Sequence, residues 1–317
     1  MIHQYLSSST SPTSLLKQSG TLAVIAFDSP CAPTPEPGLI SVGLASLTEH
    51  RYEILHCGDG GVDRGIHGNC QWSRSNDVTC ASVWISPEQC ADMEGASYSA
   101  YNELLGFLAD SDHSYPFRIW NFIPRINEGN GDLEEYKKFC VGRHQAFTEL
   151  DVAGEQFPAA SAVGNQLGGA VIFALASATP GRQHENPNQF RAYQYPRQYG
   201  PRSPSFSRAT SIRLGGETLL FISGTSSILG HESQAPNNLP KQLEITLDNI
   251  GTLLELAGTT REKILSLRVY LRHAEHLNSA REYLMDKFSN TNIHFTLANI
   301  CRRDLLVEIE AVVSCNP

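Results

Sequence analysis

Two glutamates near the C-terminus, Glu308 and Glu310, lie in a stretch, residues 305–313, that alternates in the manner of a β-strand. With a period of two, Leu305, Val307, Ile309, Ala311 and Val313 make one apolar face, and the two carboxyls share the other. A carboxyl buried on a central strand keeps its proton near neutral pH and can donate it, whereas on an exposed face the pair is merely solvated. This stretch alone leaves both alternatives open. Cys301, seven residues before Glu308 across a turn, reads either as part of the same site or as a buried thiol.

A second constellation is cationic. Between Arg182 and Arg213 stand six arginines, at 182, 191, 197, 202, 208 and 213, against one acid, Glu185. Tyr193, Tyr195 and Tyr199 interleave with them and offer hydroxyls and flat apolar surface. The planar guanidinium fork grips a carboxylate through two parallel hydrogen bonds, so the segment reads as a pocket for a small carboxylated molecule. A solvated basic loop or a set of interdomain salt bridges has the same composition. The third is Phe117-Arg-Ile-Trp-Asn-Phe-Ile-Pro124, where Arg118 shares a strand face with Trp120 and Phe122 and so needs a partner, either a substrate carboxylate or a structural acid.

Other chemistries find no support. The eight cysteines form no CxxC pair and no cluster with histidine at ligand spacing, and GxSxG, P-loop and GxGxxG contexts are missing. Neither a metal nor a cofactor is expected, and the thiols are expected to be reduced and mostly buried.

The elements that must position these groups are clearest in the second half. Strands are predicted at 211–214 and 219–224, a helix at 240–257 closed by Gly258, a strand at 264–271, a helix at 277–288, and strands at 294–300 and 305–313, in the order ββαβαββ. In the first half, strands are predicted at 21–27, 39–47, 52–56 and 78–85, a helix at 90–108, a strand at 117–123, a helix at 132–150, and strands at 160–164 and 170–176. The looser repetition of the order suggests a degenerate duplication in an α+β fold, divided into residues 1–180 and 181–317. The proline- and aromatic-rich segment 179–207 is expected to be an ordered loop along the domain interface, counted with the second unit.

Composition sets the outer bounds. With 317 residues, 41% hydrophobic and 18% charged, the chain has the make-up of a globular protein about two domains long. Its longest near-apolar run, residues 168–178, is far short of the roughly 20 residues that span a bilayer. Residues 1–30 hold no basic stretch followed by an apolar one, so a cytoplasmic protein is expected. The net charge of −9 gives no attraction for nucleic acid or a membrane surface, and an anionic ligand needs a local positive site.

Several strings together resemble the chorismatases. They are Arg118-Ile-Trp-Asn121, Gly142-Arg143 with Ala146-Phe147, Pro158-Ala-Ala160, Asn186-Pro187, Ala192-Tyr-Gln-Tyr-Pro196, Tyr199-Gly-Pro-Arg-Ser-Pro-Ser-Phe206, Ser223-Gly-Thr225, and Cys301-Arg302 with Asp304-Leu-Leu-Val-Glu-Ile-Glu310. They occur in family order over roughly residues 100–313. The resemblance implies two RidA/YjgF-like (chorismate mutase-like) ββαβαββ domains packed as a pseudo-oligomer within one monomeric chain. It also implies release of pyruvate from chorismate, a dicarboxylate, with no cofactor or metal. Glu308 then stands at the position of the acid that protonates the enolpyruvyl methylene. Arg118, Arg202 and Arg208 are the candidate carboxylate grips, with Tyr193, Tyr195 and Tyr199 beside the ring. Cys301 matches a cysteine associated with the 3-hydroxybenzoate branch, whereas Ser226 stands where glycine or alanine is expected. The ranked products are therefore 3-hydroxybenzoate, a mixture with 4-hydroxybenzoate, and the non-aromatic diol. The competing readings are a RidA-like enamine or imine hydrolase and a non-catalytic binder, for which a buried acid facing a dianion has no use.

Overall fold

The computed structural model describes residues 3–7, 10–58, 60–289 and 291–315. The chain opens with β1 (His3–Ser7), α1 (Pro12–Leu16), β2 (Thr21–Ala26), β3 (Leu39–Ser41), β4 (Ala45–Ser46) and β5 (Tyr52–His56). There follow β6 (Asp63–His67), β7 (Cys70–Arg74), β8 (Thr79–Ile85), α2 (Met93–Ala109), β9 (Tyr115–Pro124), α3 (Glu135–Glu149), β10 (Ala159–Asn165) and β11 (Ala170–Ser177). The second part holds β12 (Arg182–His184), β13 (Ala209–Leu214), β14 (Glu217–Thr225), β15 (Ile228–Leu229), β16 (Glu232–Ser233) and α4 (Leu239–Leu256). It ends with β17 (Ile264–Leu271), α5 (Leu277–Lys287), β18 (Asn292–Leu297), β19 (Asn299–Ile300) and β20 (Val307–Ser314).

Two seven-stranded sheets carry the molecule, ordered β19-β10-β9-β11-β8-β7-β6 and β12-β13-β14-β20-β17-β18-β4, beside a four-stranded sheet β1-β5-β2-β3. Within the large sheets, β10-β9-β11-β8-β7 and β18-β17-β20-β14-β13 repeat one topology. Each is a ββαβαββ unit whose only parallel pair, β9 with β10 or β17 with β18, brackets its second helix. The α+β class and the duplication expected from the sequence are therefore present.

The first unit nevertheless begins later than its sequence pattern suggests. Strands β2, β3 and β5 belong to the separate small sheet, and the unit opens with β7, beyond which β6 adds an edge strand to the sheet; neither of these two strands is among those predicted. As an edge strand, β6 is largely exposed on both faces, so it carries no apolar alternation to read. The run predicted as one strand at 39–47 is divided at Gly43, whose φ is +70° and where a Cβ would meet the Leu167 carbonyl oxygen at 2.3 Å; β3 and β4 go to different sheets. The strand predicted at 294–300 divides likewise, and β19 crosses to pair with β10 of the other unit.

One core is common to all three sheets, with Leu22 and Leu55 from the small sheet, Trp120, Phe122 and Phe173 from the first unit, and Phe221, Tyr270 and Val312 from the second. The outer face of each large sheet packs against its own helices. In α4, Leu243, Leu247, Ile250, Leu253 and Leu254 are buried on the sheet, where the helix packs against β14 and β20, and each contributes roughly 1.5–3 kcal/mol. That helix is capped by the Asn238 side chain, which accepts from the Lys241 N–H, and the chain turns out of it at Gly258, with φ +72°. Val307, Ile309, Ala311 and Val313 of β20 face these helices, so Glu308 and Glu310 point the other way, into the space between the two units. All eight cysteines are free thiols. Among the described residues no helix is long and apolar enough to cross a membrane, and no three His, Cys, Asp or Glu side chains are grouped to hold a metal ion.

Candidate active site

Alternation along β20 buries both carboxyls, but their surroundings differ. Glu310 lies opposite Arg268 of β17 and is gripped from four directions. Arg268 Nη1 approaches its Oε1 to 2.8 Å, and Trp120 Nε1 donates to the same oxygen at 2.8 Å. Arg118 Nη2 and the Ser161 hydroxyl each donate to Oε2 at 2.6 Å. Arg268 also donates through Nε to buried Glu53 at 2.8 Å, giving the alternating chain Glu53, Arg268, Glu310, Arg118. Burial alone would raise the Glu310 pKa; Arg268 and then Arg118 outweigh it and hold the carboxyl below the ordinary glutamate value.

Glu308, two residues away and opposite Tyr270, has no such cluster of cations. Burial first and the charge of Glu310 second push its carboxyl up to about 8, against the opposing influence of Arg118, the Ser226 hydroxyl and Arg208. It therefore carries its proton at neutral pH. One strand face thus presents an ionised carboxylate and a neutral acid, the divergence that marks an acid poised for chemistry. Gly224 makes the room: a Cβ there would fall 2.0 Å from Glu308 Oε1. The Ser161 hydroxyl accepts from the Gly224 N–H at 2.9 Å and from Arg118 at 2.6 Å while donating to Glu310, so it ties β10, β14 and β20 together. The Ser226 hydroxyl donates to the Val307 carbonyl at 2.9 Å.

Glu308 opens into a cavity of about 320 Å³ at the junction of the units. One wall is the Arg/Tyr loop, with Tyr195, Tyr199 and Arg208; another is the turn before β20, with Cys301 and Arg302; Tyr136 and Lys137 of α3 complete it. Buried Arg208 donates through Nη2 to the Phe190 carbonyl at 2.9 Å and to the Tyr195 hydroxyl at 2.7 Å, and its Nε has no partner. Arg302 stacks on Tyr199, 4.0 Å from the ring centre, and donates to the His231 carbonyl at 2.8 Å. Burial first and then Glu308 push the Cys301 thiol up to about 12, which favours the neutral thiol over the thiolate near neutral pH.

Behind this cavity lies a chamber of about 30 Å³, also bordered by Glu308, Cys301 and Tyr136 and closed by Ser161 and Arg143. Arg143 is 1% exposed, yet among the described residues it is in no ion pair. Nη2 reaches the Cys140 sulfur at 3.7 Å, the guanidinium lies 5.0 Å from the centre of Phe139, and Nε has no partner. A buried cation without a counter-ion is expensive, and an anion entering the chamber would relieve it.

Of the residues singled out in the sequence, the fold brings Glu308, Cys301, Tyr195, Tyr199, Arg208 and Ser226 to one cavity. Three do not join them. Arg118 is consumed by Glu310, so the partner that its strand demanded is a structural acid. Tyr193 packs edge-on against Phe157, and Arg191 donates to its hydroxyl at 3.1 Å. Arg202 is exposed on the loop outside the cavity. Arg143, Tyr136 and Arg302 were missed as site residues. For Arg143 a signal existed: it shares the buried stripe of α3 with Phe139, Cys140, Ala146 and Phe147, where an unpaired arginine is out of place.

Comparison with known proteins agrees with this geometry. The chain is 38% identical over 313 residues to a 3-hydroxybenzoate synthase of Streptomyces hygroscopicus, an alignment covering 92% of this chain and 91% of that one. It is 33% identical over 274 residues to a chorismatase of Streptomyces rapamycinicus, covering 81% and 80% of the two chains. A solved chorismatase crystal structure superposes with a TM-score of 0.87 at 27% identity, over 99% of this chain and 98% of that one. The family described as Chorismatase FkbO/Hyg5-like, N-terminal, matches residues 54–176, a stretch that begins within β5 and ends in β11. With more than a third of its residues shared over nine-tenths of its length with one such enzyme, and its backbone shared end to end with another, the chain belongs to the chorismatase family.

Proposed function

We propose that the protein converts chorismate to 3-hydroxybenzoate and pyruvate without a cofactor or metal, with Glu308 as the acid. The observation that carries this reading is the neutral Glu308 beside the ionised Glu310, facing a cavity that also holds cations with unspent donors. Glu308 protonates the enolpyruvyl methylene carbon and generates an oxocarbenium centre. The neighbouring ring hydroxyl attacks that centre, its own C–O bond to the ring then breaks as the ether-bearing ring carbon loses its proton, and the hemiketal left on the ether oxygen collapses, releasing pyruvate and leaving that oxygen as the 3-hydroxyl. The ring proton released on aromatisation balances the one that Glu308 gave. Chorismate equals the two products atom for atom, so no water is consumed.

The carboxylates are assigned by the same geometry. The enolpyruvyl carboxylate is attached next to the methylene, so its grip must lie beside Glu308, and Arg143 is the buried cation there without an acid. The ring carboxylate then faces Arg208, supported by Arg302, with Tyr195 and Tyr199 against the ring. Arg143→Met should lower kcat/KM by about 1.5–3 kcal/mol, the worth of a hydrogen bond to a charged group. An unchanged kcat/KM in steady-state assays would return Arg143 to a structural role.

The choice of 3-hydroxybenzoate is supported by Cys301 in the cavity wall and by the name of the 38% identical relative. Cys301→Ala is expected to change the ratio of ring products more than the rate of pyruvate release; a constant ratio on chromatography removes it from product choice. The primary test is incubation of the purified protein with chorismate alone, quantifying pyruvate and separating the ring products. Pyruvate with 3-hydroxybenzoate is the expected result. Added 4-hydroxybenzoate or the diol directs attention to Ser226, and no pyruvate overturns the reading.

We also propose a monomer, supported by the burial of the inner faces of both large sheets within one chain, with the small sheet covering the same core. Division of the chain at residue 180 is supported by β12, the first strand after it, which joins the second sheet. Placement in the cytoplasm is supported by eight unpaired cysteines.

A further inference from the structure

Glu185, the lone acid among the six arginines of residues 182–213, has no part in the reaction as described. The fold gives it a definite address. β12 and β13 pair antiparallel with His184 opposite Ala209, which sets Glu185, one residue beyond β12, across from Arg208, one residue before β13. The Arg208 backbone N–H donates to the Glu185 carboxyl, and Oε1 of that carboxyl is buried without a hydrogen-bond partner. The guanidinium of Arg208 in turn lines the cavity with its Nε unpartnered. Three other groups bear on Glu185. Arg191 lies near enough to favour its charge, but it already has Glu155 at 3.8 Å; Tyr193 stands beside both; His184 is engaged with the Ser211 hydroxyl at 2.9 Å.

We propose that Glu185 is a positioning residue that sets how much of the positive charge of Arg208 is available to the substrate. Unionised, it leaves the whole cation to the ring carboxylate; ionised, it competes for it, and affinity for a dianion falls. The inference rests on the reading of Arg208 as the ring-carboxylate grip. Burial is the main cause that pushes the Glu185 carboxyl up to about 7, with Arg208 opposing it, so the exchange between its two states falls near neutrality. The sign is fixed: chorismate binds more tightly below that range and more weakly above it, and by reciprocity its binding draws a proton onto Glu185.

The test uses Glu308→Gln, which removes the buried acid of the cavity and slows turnover enough for chorismate itself to serve as the probe, Glu134 and Asp304 at the cavity wall being common to every variant compared. Its Kd, measured by calorimetry from pH 6 to 8.5, is expected to rise about three- to tenfold, the scale of one screened unit charge at short range. Adding Glu185→Gln should flatten the profile and abolish the proton uptake seen in buffers of different ionisation enthalpy. Glu185→Met, apolar and of similar length, serves as a second replacement should the amide not be accommodated. A slope that survives removal of Glu185, or tight binding that is already flat in Glu308→Gln, overturns the role of Glu185 alone. No chorismate binding at any pH overturns the substrate reading beneath it.

Discussion

Glu308→Gln is expected to cut pyruvate release from chorismate by on the order of 10³-fold while chorismate binding persists, since a positioned general acid contributes about 10²–10⁴-fold. Glutamine keeps the size and polarity of the neutral acid but has no proton to give to a carbon. It also places no charge opposite the dianion, so binding has no reason to fail. In the unsubstituted protein the same argument gives a pH dependence. Glu308 is active when protonated, and its carboxyl is raised to about 8, so kcat is full at lower pH and declines as pH rises through about 8. Near-normal turnover by Glu308→Gln, or a kcat that climbs across that range, would falsify its role as the acid.

Arg118→Met should destabilise the fold by about 3–5 kcal/mol, because removing one partner of a buried pair leaves the other uncompensated. Glu310 would keep Arg268, but that guanidinium is shared with Glu53 and Tyr270. The sign with pH follows from the depressed Glu310 carboxyl: its pairing stabilises the fold above the unfolded pKa and is lost as pH falls through the lower folded value. The gap between variant and parent in urea denaturation should therefore narrow in acid. Equal stability at pH 7 would show that Arg118 is not needed as a counter-ion and reopen it as a substrate grip.

How much was legible depended on the range of the interaction. The strands at 52–56 and 264–271 were readable to the residue, since apolar spacing is local information. The same alternation showed that Glu308 and Glu310 share a side but not what that side meets, because both faces of β20 are covered and a period of two fixes only relative direction. Arg118 visibly needed an acid, yet Glu310 lies 192 residues away and Glu53 meets Arg268 across 215, distances over which spacing carries no signal. Arg302 stood within a recognised string but became a site residue only when Tyr199 was folded beneath it. β6 and β7 were missed because the hairpin they form ends the sheet on an exposed strand that needs no apolar pattern.

The exchange of short strands has a kinetic consequence. β19, drawn from the second unit, completes the first unit's sheet, and β4, from the N-terminal segment, completes the second's, pairing Ser46 with Thr296. Neither sheet can finish within its own unit, so these closures pair residues far apart in sequence, Val163 with Ile300 and Ser46 with Thr296, and carry the entropy of closing long loops. Folding is then slow and cooperative, and an intermediate holding one finished unit lacks half of the cavity wall. With Glu308 as the proposed acid, a nascent chain is catalytically silent until that residue reaches Ser161 and Arg143, which were synthesised well before it.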